Sequence, residues 1–427
     1  MRLRAWTVLS VVVLCMALGV SASAQQVHIT VWNSLSTVGR LLFHEIIEEF
    51  EQEYPHIKVD SVYQSGYYEA MEKILVSYAG NVLPNLVMME QSVAYALIDA
   101  GLAKSLTPFM EADPEIDIDD FFPAMRATMT VGDDMYGIPY NVSTPLLYYN
   151  KNLFRESGLP LEIPDGKENL LALARRLTRY SPDGAIDTYG FWLTRWRWLF
   201  EAWVGRSGTR IHNPERTEFT FNTPEVIETL RFAQSLVHEY RVAGYGSGAA
   251  SGHTPFLQGR LGMMEYTTAG LISLITQAEE NGIDMDVVPL PAFEEAYVPI
   301  GGAGFMMLDT GTEAEQQATW EFLKFINRPE NQARFAVATG YMVSRRSALE
   351  TDTWRNFIID EPRAQVTYMQ VNVAHPRPQL PFWDEIQQRL RDELSDVMYR
   401  DNGNFVPVLE EIVRYGNMKL AEWNASR

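Results

Sequence analysis

The stretch IPYNVSTPLLYYNKNLF, residues 138–154, sets an uncharged polar patch, Asn141-Val142-Ser143-Thr144, directly before the apolar run Pro145-Leu146-Leu147-Tyr148-Tyr149. Two hydroxyls and an amide at the entrance of a buried-looking strand have two readings. One is a plain turn, because Asn and Ser hydrogen-bond their own backbone there. The other is a backbone that crosses between two bodies, past something that needs hydrogen bonds. The chain on either side bears on the choice.

On the N-terminal side, VHITVWNSL (residues 27–35) is β-branched and aromatic and predicts a first strand ending at Trp32-Asn33-Ser34. Phe43, Ile46, Ile47, Phe50 and Tyr54 then recur at spacings of three and four, the stripe of an amphipathic helix, and Pro55 ends it. Residues 57–63 predict a second strand, 66–79 a second helix, and 83–89 a third strand closing at Glu90. Strand and helix in alternation imply an α/β fold with a parallel sheet, whose ligand crevice lies at the carboxyl ends of its strands. Asn33, Ser34, Tyr67, Tyr68 and Glu90 fall at such ends or just after them. The acidic segment DPEIDIDDFF (113–122) reads as solvated surface, since it lacks the Gly and terminal Glu of a calcium loop.

On the C-terminal side a helix is predicted at 166–179, then the Trp-rich segment FWLTRWRWLFEAWV (191–204), then a helix at 224–240. Trp192, Trp196 and Trp198 alternate as on a half-buried strand or a ligand-facing ribbon. The Gly/Ser/Ala run 244–252 predicts a mobile loop. LGMMEYTTAGLISLI (261–275) predicts a strand, a polar turn at Thr267-Thr268 and a helix start. Strand character returns over 288–308, and helices follow at 313–327 and 383–398, the last with Trp383, Ile386, Leu390, Leu394 and Val397 on one stripe.

At 427 residues the chain exceeds the usual size of one core, so two lobes are expected. Arg2, Arg4, the apolar run 5–20 and Ala22-Ser23-Ala24 form a secretory signal with cleavage expected after Ala24. That leader holds Cys15, the only cysteine, so the mature chain must rely on its core rather than on disulfides. No other stretch approaches the roughly 18 apolar residues of a membrane span, and the mature product is expected to be soluble. A net charge of −20 makes nucleic acid and anionic membranes poor partners. Aromatic residues make up 12%, a share that suits a sugar or polyol cleft as well as cores.

Catalytic motifs are missing. The seven histidines, at 28, 44, 56, 212, 238, 253 and 375, make no compact ligand spacing. Gly205-Arg206-Ser207-Gly208-Thr209 fails the nucleophile-elbow pattern, and Gly301-Gly302-Ala303-Gly304 fails both nucleotide-binding patterns. With 55 acidic residues, chance carboxylate pairs are guaranteed, so pairing says little about glycosidase chemistry. No metal or cofactor is expected.

NVSTPLLYYNKNLF, TWEFLKFINRPENQARFAVATGYMVSRRSAL and the leader together resemble the family 1 extracellular solute-binding proteins of ABC importers over nearly all of the mature chain. The most specific piece is Phe322-Leu323-x-Phe325, then Pro329-Glu330-Asn331, Thr339-Gly340-Tyr341 and Arg346. Ser143-Thr144-Pro145 and Thr339-Gly340-Tyr341 are similar to the glycerol-3-phosphate-binding branch. The resemblance implies a two-lobed periplasmic-binding-protein fold, each lobe a mixed sheet flanked by helices, joined by crossing hinge strands. It implies residues 25–140 and 292–345 for the first lobe, and 141–291 and 346–427 for the second, helix-rich one. A monomeric, extracytoplasmic protein would close on a small polyol or sugar, glycerol-3-phosphate or a glycerophosphodiester included, and deliver it to ABC permease subunits. Residues 141–144 would then sit at the first crossover.

The branch's ligand contacts carry over onto Tyr68, Glu90, Ser143 with Thr144, a Trp among Trp192, Trp196 and Trp198, Thr267 or Thr268, Gly302, and Tyr341. One position departs: Gln387 stands where the branch has an Arg, with Arg389 and Arg377 as possible replacements. Arg is the natural fork for phosphate, so a neutral mono- or oligosaccharide remains an alternative ligand. A secreted carbohydrate-active enzyme with a cleft carboxylate pair is the alternative from another class.

Overall fold

The computed structural model describes residues 26–427 apart from 81, 196, 249 and 250. The expected export leader, residues 1–24, lies outside the described residues, as does Trp196.

The N-terminal alternation is β1 (Val27–Asn33), α1 (Thr37–Glu53), β2 (Ile57–Tyr63), α2 (Tyr67–Ala79), β3 (Leu86–Glu90) and α3 (Gln91–Asp99). Ser36 starts α1 by accepting the Gly39 N–H at 3.2 Å, and Phe43, Ile46, Ile47 and Phe50 bury its apolar face. Every residue of β3 is buried, as befits a central strand covered on both sides.

The middle of the chain contributes β4 (Gly137–Ser143), β5 (Pro145–Asn150), α4 (Lys167–Leu177), β6 (Ile186–Arg195), α5 (Arg197–Arg206), α6 (Pro224–His238), β7 (Ala243–Ser247), β8 (Leu261–Thr267), β9 (Met285–Pro289) and β10 (Gly301–Met307). Two five-strand paths result. The first runs β2-β1-β3-β10-β4, with β1 parallel to β2 and β3 and β10 antiparallel to β3 and β4. The second runs β7-β6-β8-β5-β9, with β7, β6 and β8 parallel and β5 antiparallel to β8 and β9. Each sheet has its own apolar core, around Ile29, Phe43, Phe305 and Phe322 in the first and around Leu147, Phe191, Trp203 and Trp383 in the second. Thr144 is the single residue between β4 of one sheet and β5 of the other. The segment 290–300 carries the chain back. After β10 come α7 (Glu313–Ile326), α8 (Pro329–Thr339), α9 (Trp383–Arg389) and α10 (Val406–Ala425). Among the described residues no helix is long and apolar enough to cross a membrane.

Three expectations need correction. The run 244–252 is not simply a loop: its first part is β7, paired to β6. Its glycines admit a large neighbour, since a Cβ on Gly244 would lie 2.4 Å from Cζ3 of Trp192. The Trp-rich segment is not one ribbon either, because β6 stops at Arg195 and α5 begins at Arg197. The expected helix at 383–398 is helical throughout, but only its first part, α9, is an α-helix: from Leu390 to Arg400 it widens into π turns, before α10.

Candidate functional site

A cavity of about 390 Å³ lies between the two sheets. Its walls are assembled from element ends. Tyr67 and Tyr68 open α2, and Glu90 closes β3. Ser143 closes β4, while Gly301 and Gly302 open β10. Tyr266 and Thr267 close β8, Trp198 comes from the first turn of α5, and Gln387 from α9. Tyr341 and Arg377 come from loops.

Local chemistry explains several of these placements. Gly340 ends α8 with φ of 88°, a left-handed cap that turns the chain so that Tyr341 follows onto the cavity wall. Gly302 has φ of 92°, and a Cβ there would fall 1.9 Å from the Asn141 carbonyl oxygen, so only glycine lets β10 approach β4. Trp198 donates its Nε1–H to the Pro299 carbonyl at 3.1 Å, which fixes the ring beside the returning segment.

The polar crossover divides its labour. Asn141 is structural: its Nδ2 donates to the Tyr67 hydroxyl at 3.0 Å and its Oδ1 accepts the Ala303 N–H at 2.7 Å. Ser143 lines the cavity. Thr144 does not, contrary to expectation. Its N–H donates to Thr268 Oγ1 at 3.2 Å, its carbonyl accepts the Thr268 N–H at 3.0 Å, and its hydroxyl accepts from Gln370 Nε2 at 2.9 Å. Thr144 and Thr268 are both fully buried and tie the crossing to β8, so Thr267 rather than Thr268 is on the wall.

Two further expected contacts lie elsewhere. Trp192 sits on β6, lines a separate cavity of about 40 Å³, and donates to Ser251 Oγ at 3.1 Å. Among the described candidates it is Trp198, in α5, that lines the cleft. Arg389 is off the cavity wall: its guanidinium forms a fork with Glu393 at 2.7 and 2.9 Å and lies over the Tyr415 ring at 4.8 Å. Arg377 does line the cavity, with Tyr68, Glu90, Ser143, Thr267, Gly302 and Tyr341.

The charged part of the wall, Glu90 and Arg377, is anchored to a buried cluster behind it. Arg377 Nη1 donates to Glu90 Oε1 at 2.7 Å. Its Nε donates to both oxygens of Glu201 at 3.1 and 2.9 Å, and its Nη2 donates to Glu201 Oε1 and to Gln387 Oε1, both at 2.7 Å. Trp383 Nε1 adds a bond to Glu201 Oε1 at 3.1 Å. Glu90 also caps α3, accepting the Ser92 N–H at 3.1 Å and the Ser92 hydroxyl. Burial works against the Arg377 guanidinium, but the charges of Glu201 and Glu90 outweigh it and hold the group above the usual arginine value. Burial raises the Glu201 carboxyl above its ordinary value, against the pull of Arg377. Burial likewise raises the phenols of Tyr67 and Tyr341, and pushes Tyr266 up to about 12. At neutral pH all three are intact O–H groups, able to donate and accept.

Glu201, Gln387, Tyr67 and Tyr266 were not among the expected ligand contacts. Glu201 carried a readable signal: it is the lone carboxylate inside Leu199-Phe200-Glu201-Ala202-Trp203-Val204, and a buried carboxylate needs a cation. Tyr67 stood beside an expected contact at a strand-to-helix turn.

Comparison with known proteins agrees with this architecture. Residues 45–358 match the model of the bacterial extracellular solute-binding protein family, and the chain belongs to that family. It is 24% identical over 426 residues to the sn-glycerol-3-phosphate-binding periplasmic protein UgpB of Pectobacterium atrosepticum, covering 95% of this chain and 94% of that protein. The corresponding protein of Rhizobium meliloti is 21% identical over 409 residues, covering 91% and 93%. Among solved structures, UgpB from Mycobacterium tuberculosis in complex with glycerophosphocholine superposes with a TM-score of 0.81 at 22% identity, covering 92% of this chain and 98% of that one. An ABC substrate-binding protein from Listeria monocytogenes in complex with cycloalternan gives a TM-score of 0.78 at 17% identity, covering 93% and 99%. The fold is that of two-lobed binding proteins, and the chain is a solute-binding protein of an ABC importer.

Proposed function

We propose that the protein captures a small polyol or sugar outside the cytoplasm by closure of its two lobes, and hands it to an ABC permease. The observation that carries this reading is the 390 Å³ cavity, whose walls come from both sheets and from the strands that join them. A ligand held there touches both halves, so it stabilises the closed arrangement over the open one. Ring faces from Tyr68, Trp198 and Tyr341 suit the C–H faces of a sugar, and Ser143, Thr267 and Glu90 suit its hydroxyls. The lobes are taken as 25–140 with 292–345, and 141–291 with 346–427. The protein is taken to act as a monomer.

Binding rather than catalysis is supported by the carboxylates. Among the described residues lining the cavity, Glu90 is the only acid, and a glycosidase needs two flanking the scissile bond. The residues at 1–24 fit an export leader, in keeping with relatives that are periplasmic.

A thermal-shift panel tests the reading. Glycerol-3-phosphate, glycerophosphocholine, maltose, trehalose and a set of monosaccharides are titrated into the purified mature chain. A true ligand at a hundred times its Kd adds about 2.7 kcal/mol and raises Tm. Release of products from a glycan, with no ligand shifting Tm, would refute the transport reading.

A further inference from the structure

The cleft's cation is already committed. Among the described residues that line the cavity, Arg377 is the only one with a positive charge. A guanidinium has five N–H groups. Those of Nε and Nη2 go to Glu201 and Gln387, and one of Nη1 goes to Glu90. The fork that would grip two phosphate oxygens side by side is therefore occupied by protein carboxylates. Glu90, the one acid on the wall among the described residues, adds a carboxylate beside that occupied guanidinium, and it repels an incoming phosphate.

Gln387 completes the picture. Arginine can only donate, so the Gln387 atom facing Arg377 Nη2 at 2.7 Å must be Oε1, which fixes the orientation of the amide. Its Nε2 has no hydrogen-bond partner, although Gln387 is only 1% exposed and lines the cavity. An amide left unsatisfied in a buried position is destabilising unless something else accepts from it.

We infer that this cleft selects an uncharged, hydroxyl-rich ligand over a phosphorylated one, with Gln387 Nε2 donating to a ligand oxygen and Glu90 accepting from a ligand hydroxyl. The inference deepens the solute-binding reading above and rests on it. It departs from the ligand in the names of the curated relatives, which carry glycerol-3-phosphate.

The test is calorimetric titration of the mature chain at neutral pH with neutral polyols and mono-, di- and trisaccharides, and with glycerol-3-phosphate as the charged probe. At least one neutral probe should bind tenfold or more tighter than glycerol-3-phosphate. Gln387→Glu keeps the acceptor for Arg377 and removes the donor, and should weaken that neutral ligand at least tenfold. Gln387→Leu should do the same, which guards against a charge artefact, and the unliganded melting curves of both variants report folding. Glycerol-3-phosphate binding as tightly as the best neutral probe overturns the charge selectivity while the solute-binding reading stands. Unchanged neutral-ligand affinity in two folded Gln387 variants overturns the role of that residue. Silence to neutral and charged probes alike counts against both readings.

Discussion

Arg206 and Arg377 are both buried and both bonded to carboxylates, yet their surroundings differ in charge balance. Arg206 Nη2 meets Glu265 Oε1 at 2.6 Å, and its other N–H groups reach the carbonyls of Ala202 at 3.3 Å and Pro291 at 3.2 Å. Trp203 Nε1 holds the second oxygen of Glu265 at 2.8 Å, and Phe293 lies against the guanidinium at 4.2 Å. One charge answers one charge, inside the core of the second lobe. Arg377, on the wall of a cavity, instead serves two carboxylates. The balanced pair fixes packing, whereas the unbalanced cluster leaves polarity facing a guest. Arginine and glutamate look alike in either setting on paper; the count of partners separates a strut from a site.

That contrast can be tested by removing one member at a time. The largest effect should come from Arg206→Met, which strands Glu265 without a counter-ion. A loss of about 3–5 kcal/mol is expected in urea unfolding, with ligand affinity of the folded fraction unchanged. A drop in affinity would show the two clusters to be coupled.

Glu201→Gln should act through pH. The Glu201 carboxyl is raised above its ordinary value of 4.5, first by burial and against Arg377, so the folded chain holds that proton more tightly than the unfolded one. Its contribution is fully present below the unfolded value and is lost as pH rises through the folded value. The Tm of the native chain minus that of the variant should therefore fall as pH climbs above 4.5. A difference that widens with pH would mean that attraction to Arg377 outweighs desolvation.

The smallest effect belongs to Arg389→Ala. This residue pairs with Glu393 one turn away and lies over the Tyr415 ring at 4.8 Å, so no more than about 1 kcal/mol of stability should go and ligand affinity should not move. Weakened binding of glycerol-3-phosphate in this variant would return Arg389 to the site.

The first sheet was legible because its elements are local. Ile29 and Val31 alternate, Phe43 to Phe50 follow a helical period, and Glu90 closes a strand, all without reference to distant residues. The crossover was legible too, since a polar patch before a buried strand is a local contradiction. What could not be read is whatever depends on a long-range neighbour. Trp192 and Trp198 share a spacing but are parted by a change from strand to helix, and periodicity over so few residues fits both. The glycines at 244 and 246 looked like a flexible tether because the indole that covers them, from Trp192, is on a neighbouring strand. Arg377 could be placed near the ligand by resemblance, but not its attachment to Glu201, 176 positions away.

Three of the partners of Arg377 do not move as one group. Glu201 and Gln387 belong with the second sheet's core, while Glu90 ends a strand of the first. Parting the sheets therefore severs Arg377 either from Glu90 and Gln91 or from Glu201 and Gln387, and hydrates the charges so exposed. Electrolyte favours freshly exposed charge, so dissolved salt would tilt this molecule toward its gaping form even when the cargo itself is electrically silent.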